Sequence, residues 1–150
     1  MSNTLTNLLF HVVFSTKGRE KIISDEYRER LYSYIGGIIR GVGGVAWAVG
    51  GMPDHTHLVA ALPTTVAVAD AVRAVKANSS RWLNERQTTS RFGWQAGYGA
   101  FSVSQSLVPV VVDYVKNQAA HHRRRSYLDE IAALIERHGV VSAAPSGLGP

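Results

Sequence analysis

The order of strand-like and helix-like segments is the feature that most limits the fold of this 150-residue chain. Strand patterns cover residues 5–15, 45–51, 55–62 and 98–104. One amphipathic helix is predicted after Ser24, a suitable N-cap, and a second over residues 65–85. The resulting order, β-α-β-β-α-β, is that of the split βαβ unit. It predicts an α+β, ferredoxin-like fold: an antiparallel sheet with two helices on one face and the other face free for a site or a third helix.

The C-terminal third of the chain predicts two further helices. One begins near Ser106, has Pro109 in its first turn, where proline is tolerated, and carries Tyr114. Ser126 and Asp129 have the spacing of a capping box and predict the start of a last helix. No repeat or linker divides the chain. We therefore expect one domain over residues 1–138 and a flexible tail over residues 139–150.

Composition narrows the class of protein. The formal net charge is +5 and the isoelectric point about 9.8, which fits a nucleic-acid-binding protein and equally a well-solvated surface. The absence of cysteine excludes disulfides and thiol chemistry. No signal-peptide pattern and no apolar run of the roughly 20 residues that span a bilayer is present. We expect a cytoplasmic protein without a membrane partner.

Two histidines, His55 and His57, begin the apolar segment of the third predicted strand. Side chains at positions i and i+2 of a strand lie on the same face, so the two imidazoles could bind one metal ion. The alternative is a pair of hydrogen-bonded histidines at a strand end. Their position directly after the Pro53-Asp54 turn, at the mouth of the strand, favours the metal site.

Tyr114 and Gln118 are spaced to lie on one face of a helix. An amide oxygen is a hard ligand, and two imidazoles with one oxygen favour Mg²⁺ or Mn²⁺, with zinc also possible. The phenol of Tyr114 could act as a nucleophile once it is activated. A core tyrosine and an exposed helical glutamine are the alternatives for these two residues.

Basic residues are numerous near the predicted tyrosine helix and are candidates for DNA contacts. A charge run is often only a solvated surface, and His122 could equally be a further metal ligand or a cation at a helix C-terminus. A second basic surface is predicted on the second helix. The candidate DNA-binding residues are His11, Lys17, Arg19, Arg73, Lys76, Lys116, His122, Arg123 and Arg124.

Four segments resemble those of a known family. They are residues 10–17, residues 53–58 with the two histidines, residues 94–104, and residues 114–118 followed by His121 and His122. In this order, over residues 5–138, they resemble the small single-tyrosine HUH transposases of bacterial insertion sequences, the IS200-like family. The transposases associated with repetitive extragenic palindromes are kin. Thr56 departs from the bulky hydrophobic residue usual between the two histidines.

The resemblance implies more than the spacing does. It implies that His55, His57 and Gln118 bind a divalent ion and that Tyr114 attacks the scissile phosphate. It implies a 5′-phosphotyrosine intermediate and the cutting and rejoining of single-stranded DNA at hairpin-marked ends. It also implies a homodimer in which the tyrosine helix of one subunit completes the site of the other.

Two other functions stay open at this point. The chain could be a DNA-hairpin-binding protein without catalytic activity, or a metal-dependent hydrolase in which Tyr114 takes no part. The first alternative is disfavoured because the tyrosine and both histidines are present. The second predicts hydrolysis without a covalent adduct between protein and DNA.

Overall fold

The structure, a computed structural model, describes residues 4–87, 91–122 and 125–140. Its strands are β1 (Leu9–Ser15), β2 (Val45–Met52), β3 (His55–Ala61) and β4 (Gly99–Ser102). Its helices are α1 (Asp25–Gly41), α2 (Val68–Arg86), α3 (Val108–Lys116), α4 (Gln118–His121) and α5 (Tyr127–His138). None of the helices in these described ranges is both long and apolar enough to cross a membrane.

The four strands form one antiparallel sheet in the order β2-β3-β1-β4. This confirms the predicted α+β class and the split βαβ order, because β3 and β1 lie in the centre. The first strand was predicted to begin at residue 5, but in the structure it begins at Leu9. The reason is that the partner strand ends at Ala61, opposite Leu9, so that no strand is left to pair with the preceding residues, and Leu5 is 95% exposed.

Helices cover both faces of the sheet. On one face, α1 and α2 form the main core with β1 and β3. This core includes Val12, Phe14, Leu31, Ile35, Leu58, Val75 and Leu83, all nearly or fully buried. On the other face, α3 packs on β2 and β3 through Val115, Ala48 and Val59. Beside it, α5 packs on β1 and β4 through Ile131, Leu134, Val13 and Phe101. The second face, predicted to be free for a site or a third helix, therefore carries the two helices α3 and α5.

The predicted tyrosine helix is interrupted. It ends at Lys116, Asn117 adopts a non-helical conformation (φ −107°, ψ 35°), and the short helix α4 begins at Gln118. The side-chain amide of Asn117 donates to the carbonyl oxygen and the carboxylate of Asp113, each at 2.9 Å. Such local bonds compete with continuation of a helix. Tyr114 and Gln118 thus lie on consecutive helices and not on one.

A glycine in β2 allows α3 to approach the sheet closely. A Cβ at Gly50 would overlap the carbonyl oxygen of Val115. Gly50 is also the partner of His57 across the β2–β3 pairing. The last turn of α3, which contains Tyr114, is therefore seated directly beside the strand that carries the two histidines.

Candidate active site with a metal-ligand cluster

His55 and His57 lie side by side on β3, on the face covered by α3 and α5. Both are 0% exposed, and their ring centroids are 5.1 Å apart. Thr56, between them, is equally buried and lies on the opposite face because side chains alternate along a strand. The threonine therefore leaves the shared face of the two histidines intact.

Glu130 of α5 brings a carboxylate to both imidazoles. Its Oε1 accepts a hydrogen bond from His57 Nε2 at 2.9 Å and lies 3.4 Å from His55 Nε2, while its Oε2 lies 3.2 Å from His122 Nε2. The four residues place their potential ligand atoms within 4.8 Å of one another. Imidazole nitrogens and a carboxylate at such separations are the donors that a divalent transition-metal ion prefers.

Gln118 directs its amide oxygen into the same cluster. The oxygen lies 3.2 Å from His55 Nε2 and 3.0 Å from His122 Nε2, and the amide nitrogen donates to the backbone oxygen of Tyr114 at 3.1 Å. The side chain is 1% exposed, so its orientation is held by neighbours and not by solvent. This is the arrangement that the role of a metal ligand requires.

Two further residues, Asp54 and His11, orient the histidine rings through their Nδ1 atoms. His55 donates from Nδ1 to Asp54 Oδ1 at 2.7 Å, and His57 Nδ1 shares a hydrogen bond of 2.8 Å with His11 Nε2. In each ring Nδ1 is engaged and Nε2 faces the cluster. Metal-binding histidines are commonly fixed in this way. The residues present therefore fit a bound divalent ion.

The electrostatics of the cluster follow from burial and charge. Burial opposes protonation of His55, but hydrogen bonds to Asp54 and Glu130 outweigh it and raise its pKa to about 9. Burial disfavours the charged form of Glu130 as well, yet the hydrogen bonds from His55 and His57 hold its pKa well below the usual range. Burial lowers the pKa of His57, and burial together with His57 lowers that of His11 to about 3. The carboxylate is thus charged and His11 neutral.

Tyr114 reaches the cluster from α3. Its hydroxyl donates a hydrogen bond to Glu130 Oε2, and its ring packs edge-on against His57 with 5.7 Å between centroids. Burial and the neighbouring Glu130 carboxylate raise the pKa of the phenol above its ordinary value. The tyrosine is therefore neutral at rest. One carboxylate joins the candidate nucleophile to the candidate metal ligands.

The structure distributes the predicted DNA-binding residues over different surfaces. Lys17 and Arg19 follow β1 directly, near the strand end where Ser15 pairs with His55. His122 belongs to the cluster itself, and His11 is 3% exposed against His57. Lys116 is exposed at the end of α3. Two more of the predicted residues, Arg123 and Arg124, lie outside the described part of the chain.

The second basic surface is not near the histidines. Arg73 and Lys76 are on α2, which packs on the opposite face of the sheet. Arg73 is paired with Asp70 at 2.7 Å, and Lys76 donates to the backbone oxygens of Gln95 and Gly97. Burial lowers the pKa of Lys76. The structure thus shows Lys76 anchoring the segment before β4.

Glu130 is the site residue that our reading of the sequence did not identify. The signal available was its place on α5. It lies four residues before Leu134, on the face that also holds Ile131, and so it is an acidic residue on an otherwise apolar helix face. A buried carboxylate requires a partner, and the two histidines supply it.

Comparisons with known proteins agree with this architecture. A family model described as "Transposase IS200 like" matches residues 4–118. No curated protein sequence matches the chain.

Two solved structures share the fold. One is described as a candidate transposase from Deinococcus radiodurans R1; it has 24% sequence identity and a TM-score of 0.63, over 79% of this chain and 95% of that one. The other is a REP-associated tyrosine transposase bound to a REP hairpin; it has 18% identity and a TM-score of 0.53, over 77% of this chain and 70% of that one.

Proposed function

Because this chain belongs to the IS200-like transposase family, we propose that it cuts and rejoins single-stranded DNA at hairpin-marked ends. The reaction is a transesterification with Tyr114 as nucleophile, assisted by a divalent ion, Mg²⁺ or Mn²⁺. The observation that carries the proposal is the hydrogen bond from the Tyr114 hydroxyl to Glu130, whose carboxylate also contacts His55 and His57. A nucleophile and a metal-ligand set in direct contact are what this chemistry needs.

The proposed step conserves the number of phosphodiester bonds. The oxygen of Tyr114 forms a bond to the scissile phosphorus and loses its proton, and the bond from phosphorus to the 3′-oxygen breaks. The departing 3′-oxygen takes up a proton, and a 5′-phosphotyrosine link remains. Attack by another 3′-hydroxyl reverses the step and frees the tyrosine, so no external energy source is required.

Different side chains bind the ion, orient the imidazole rings and hold the phenol in the proposed reaction. His55, His57 and Gln118 would hold the ion, with Glu130 and His122 beside them. A divalent ion in such a site polarises the phosphate and offsets the negative charge of the transition state. Asp54 and His11 keep the imidazole rings oriented. Glu130 holds the phenol of Tyr114 at the edge of the ligand set until a phosphate arrives.

The partner and assembly are part of the same proposal. The hairpin-bound REP-associated transposase of like fold and the net charge of +5 support single-stranded DNA with hairpin ends as the substrate. Lys17 and Arg19, which follow β1 at the end where Ser15 pairs with His55, would contact its backbone. We propose a homodimer that acts on DNA in the bacterial cytoplasm; exposed Val45 and Trp47 on edge strand β2 support a contact between copies.

An adduct assay tests the proposal. End-labelled single-stranded DNA that contains the hairpins flanking the gene is mixed with the protein and Mg²⁺ or Mn²⁺, and a denaturing gel shows whether label stays on the protein. We expect an adduct that is absent with Tyr114→Phe and with a chelator. Tyr98→Phe, at a tyrosine on the far side of the sheet, is the matched control and should retain the adduct.

The two alternative functions give different gels. A hairpin-binding protein without activity shifts the DNA on a native gel and yields no adduct with metal present. A metal hydrolase shortens the DNA without an adduct and keeps its activity in Tyr114→Phe. Either result would overturn the assignment of Tyr114 as nucleophile.

A further inference from the structure

A cavity of about 240 Å³ opens beside Tyr114, between α3, α5 and β4. Its walls are mainly apolar and include Val110, Val111 and Leu134. Tyr114 and Glu130 contribute polar groups to its lining, and the arginines Arg125 and Arg137 also line it. The metal-ligand histidines do not line it, so it is a separate space that shares the nucleophile with the cluster.

The chemistry of this lining is that of a nucleotide site. Apolar walls accept the flat faces of an unpaired base, and arginine side chains bind phosphate oxygens or stack on bases. Both arginines are exposed, and the carboxylate of Glu130 is already engaged by the three histidines of the cluster and by Tyr114. The free charge around the cavity is therefore positive, complementary to a DNA strand.

Two apolar side chains at the cavity are largely exposed to solvent. Val110 is 64% exposed and Leu107, which also lines the cavity, is 53% exposed, whereas apolar residues elsewhere on α3 are turned to the sheet. The space is too small for a protein helix and its side chains. A single base with its phosphate outside is an occupant of suitable size and polarity.

We propose that this cavity receives the base of one nucleotide adjacent to the scissile phosphate. The proposal rests on the proposed function, because the base is brought there by a phosphate held at Tyr114. Seating that base positions the phosphate in front of the hydroxyl and makes the identity of one nucleotide matter for cutting.

Abasic substitution tests the proposal with the unaltered protein. The scissile position is first mapped from the adduct, and a series of oligonucleotides then removes one base at a time over the flanking single-stranded positions. Fluorescence anisotropy measures affinity and the adduct assay measures cutting. We expect removal of one base next to the scissile phosphate to weaken binding about tenfold, while its other neighbours change binding little.

A cavity-filling variant provides the second test. Ala133→Phe places a ring in the cavity, and Ala132→Phe places the same ring on the exposed surface of α5. Ala133→Phe should bind the complete oligonucleotide as weakly as the unaltered protein binds the abasic one, and should lose sensitivity to the abasic change. Ala132→Phe should behave as the unaltered protein does. Circular dichroism establishes that each variant is folded.

The outcomes separate this proposal from the proposed function. An adduct that forms normally but is insensitive to every abasic position overturns the base pocket and leaves the transposase chemistry standing. Sensitivity that persists in folded Ala133→Phe places the base elsewhere and also overturns it. If no oligonucleotide binds or forms an adduct, both proposals fail together.

Discussion

Glu130 connects the two halves of the candidate chemistry through its two carboxylate oxygens. Oε1 contacts the imidazoles of His55 and His57, and Oε2 accepts the hydrogen bond from Tyr114. A buried carboxylate in this position balances the positive charge that His55 holds when no ion is bound, because the pKa of His55 is raised to about 9. It is also the right type of group to remain as a ligand when an ion displaces that proton.

Replacement of Glu130 should therefore weaken metal binding. Glu130→Gln keeps the shape of the side chain but removes its charge, and we expect the affinity for Mn²⁺ to fall at least about tenfold. Isothermal titration calorimetry measures this independently of DNA. Glu136→Gln, at an exposed position of the same helix, is the control and should titrate like the unaltered protein. Unchanged affinity in Glu130→Gln would mean that the carboxylate only positions Tyr114.

For single residues, the sequence pattern predicts only contacts between residues that are close in sequence. His55 and His57 are two residues apart, so strand periodicity could predict their grouping. Tyr114 and Gln118 are four residues apart and were predicted to share one helix, but the helix breaks at Asn117 between them. Glu130 lies 73 residues from His57, and their contact depends on how α5 packs across the sheet. The periodicity of α5 indicates that Glu130 is on the buried face, but no local rule indicates what it meets there.

Among the secondary-structure elements, the position of α3 depends on a glycine of β2. The helix is seated by Val115 against Ala48 and Val59, and the missing side chain of Gly50 leaves room for the Val115 carbonyl. A methyl group at this position would have to push against backbone, which cannot rotate away as a side chain can. The displacement would be transmitted to Tyr114, the adjacent residue.

Gly50→Ala should therefore impair both stability and cutting. Overpacking of this kind costs about 1–3 kcal/mol of unfolding free energy, and we expect less adduct per folded molecule because the phenol moves relative to the histidines. Gly37→Ala is the matched control. That glycine is inside α1 with only ordinary contacts, and alanine there should raise stability by about 0.5–1 kcal/mol. Urea unfolding measures the stability of both variants, and the adduct assay measures cutting. Equal changes in stability in the two variants would contradict this account of α3.

The order of the elements was predictable, and several of their ends were not. Alternating apolar residues predict four strands, and the sheet has them in the split βαβ order. The start of β1 depends on where its partner ends, and the break at Asn117 depends on the side chain of Asp113. Both are set by contacts that a residue pattern does not contain.

For the whole molecule, the notable property is that one chain supplies every group of the candidate site. The family resemblance implies a tyrosine contributed by a second copy, and this stays a prediction; within the single chain Tyr114 contacts Glu130 and His57. Within the described residues, β3, α3, α4 and α5 complete the cluster together. A tyrosine that stays within its own chain is therefore the alternative to a tyrosine exchanged between two copies.

Mixing two inactive variants tests this arrangement. Tyr114→Phe lacks the proposed nucleophile and His57→Ala lacks a proposed metal ligand, so neither should form an adduct alone. If the site is assembled within one chain, the mixture should stay inactive, because no copy contains both groups. Recovery of adduct in the mixture would show that tyrosine and histidines come from different copies. An equimolar mixture of unaltered and Tyr114→Phe protein, which should retain adduct formation, is the control.

A single candidate nucleophile in each copy, Tyr114, has a consequence for reaction order. If each copy holds one DNA end, cutting should proceed at a rate proportional to protein concentration. Exchange needs two ends, one on each copy of the proposed homodimer, so once the copies are diluted apart its rate should depend on the square of that concentration. Dilution would then separate the two activities, and a scarce protein would cut and reseal the same strand far more often than it moved one.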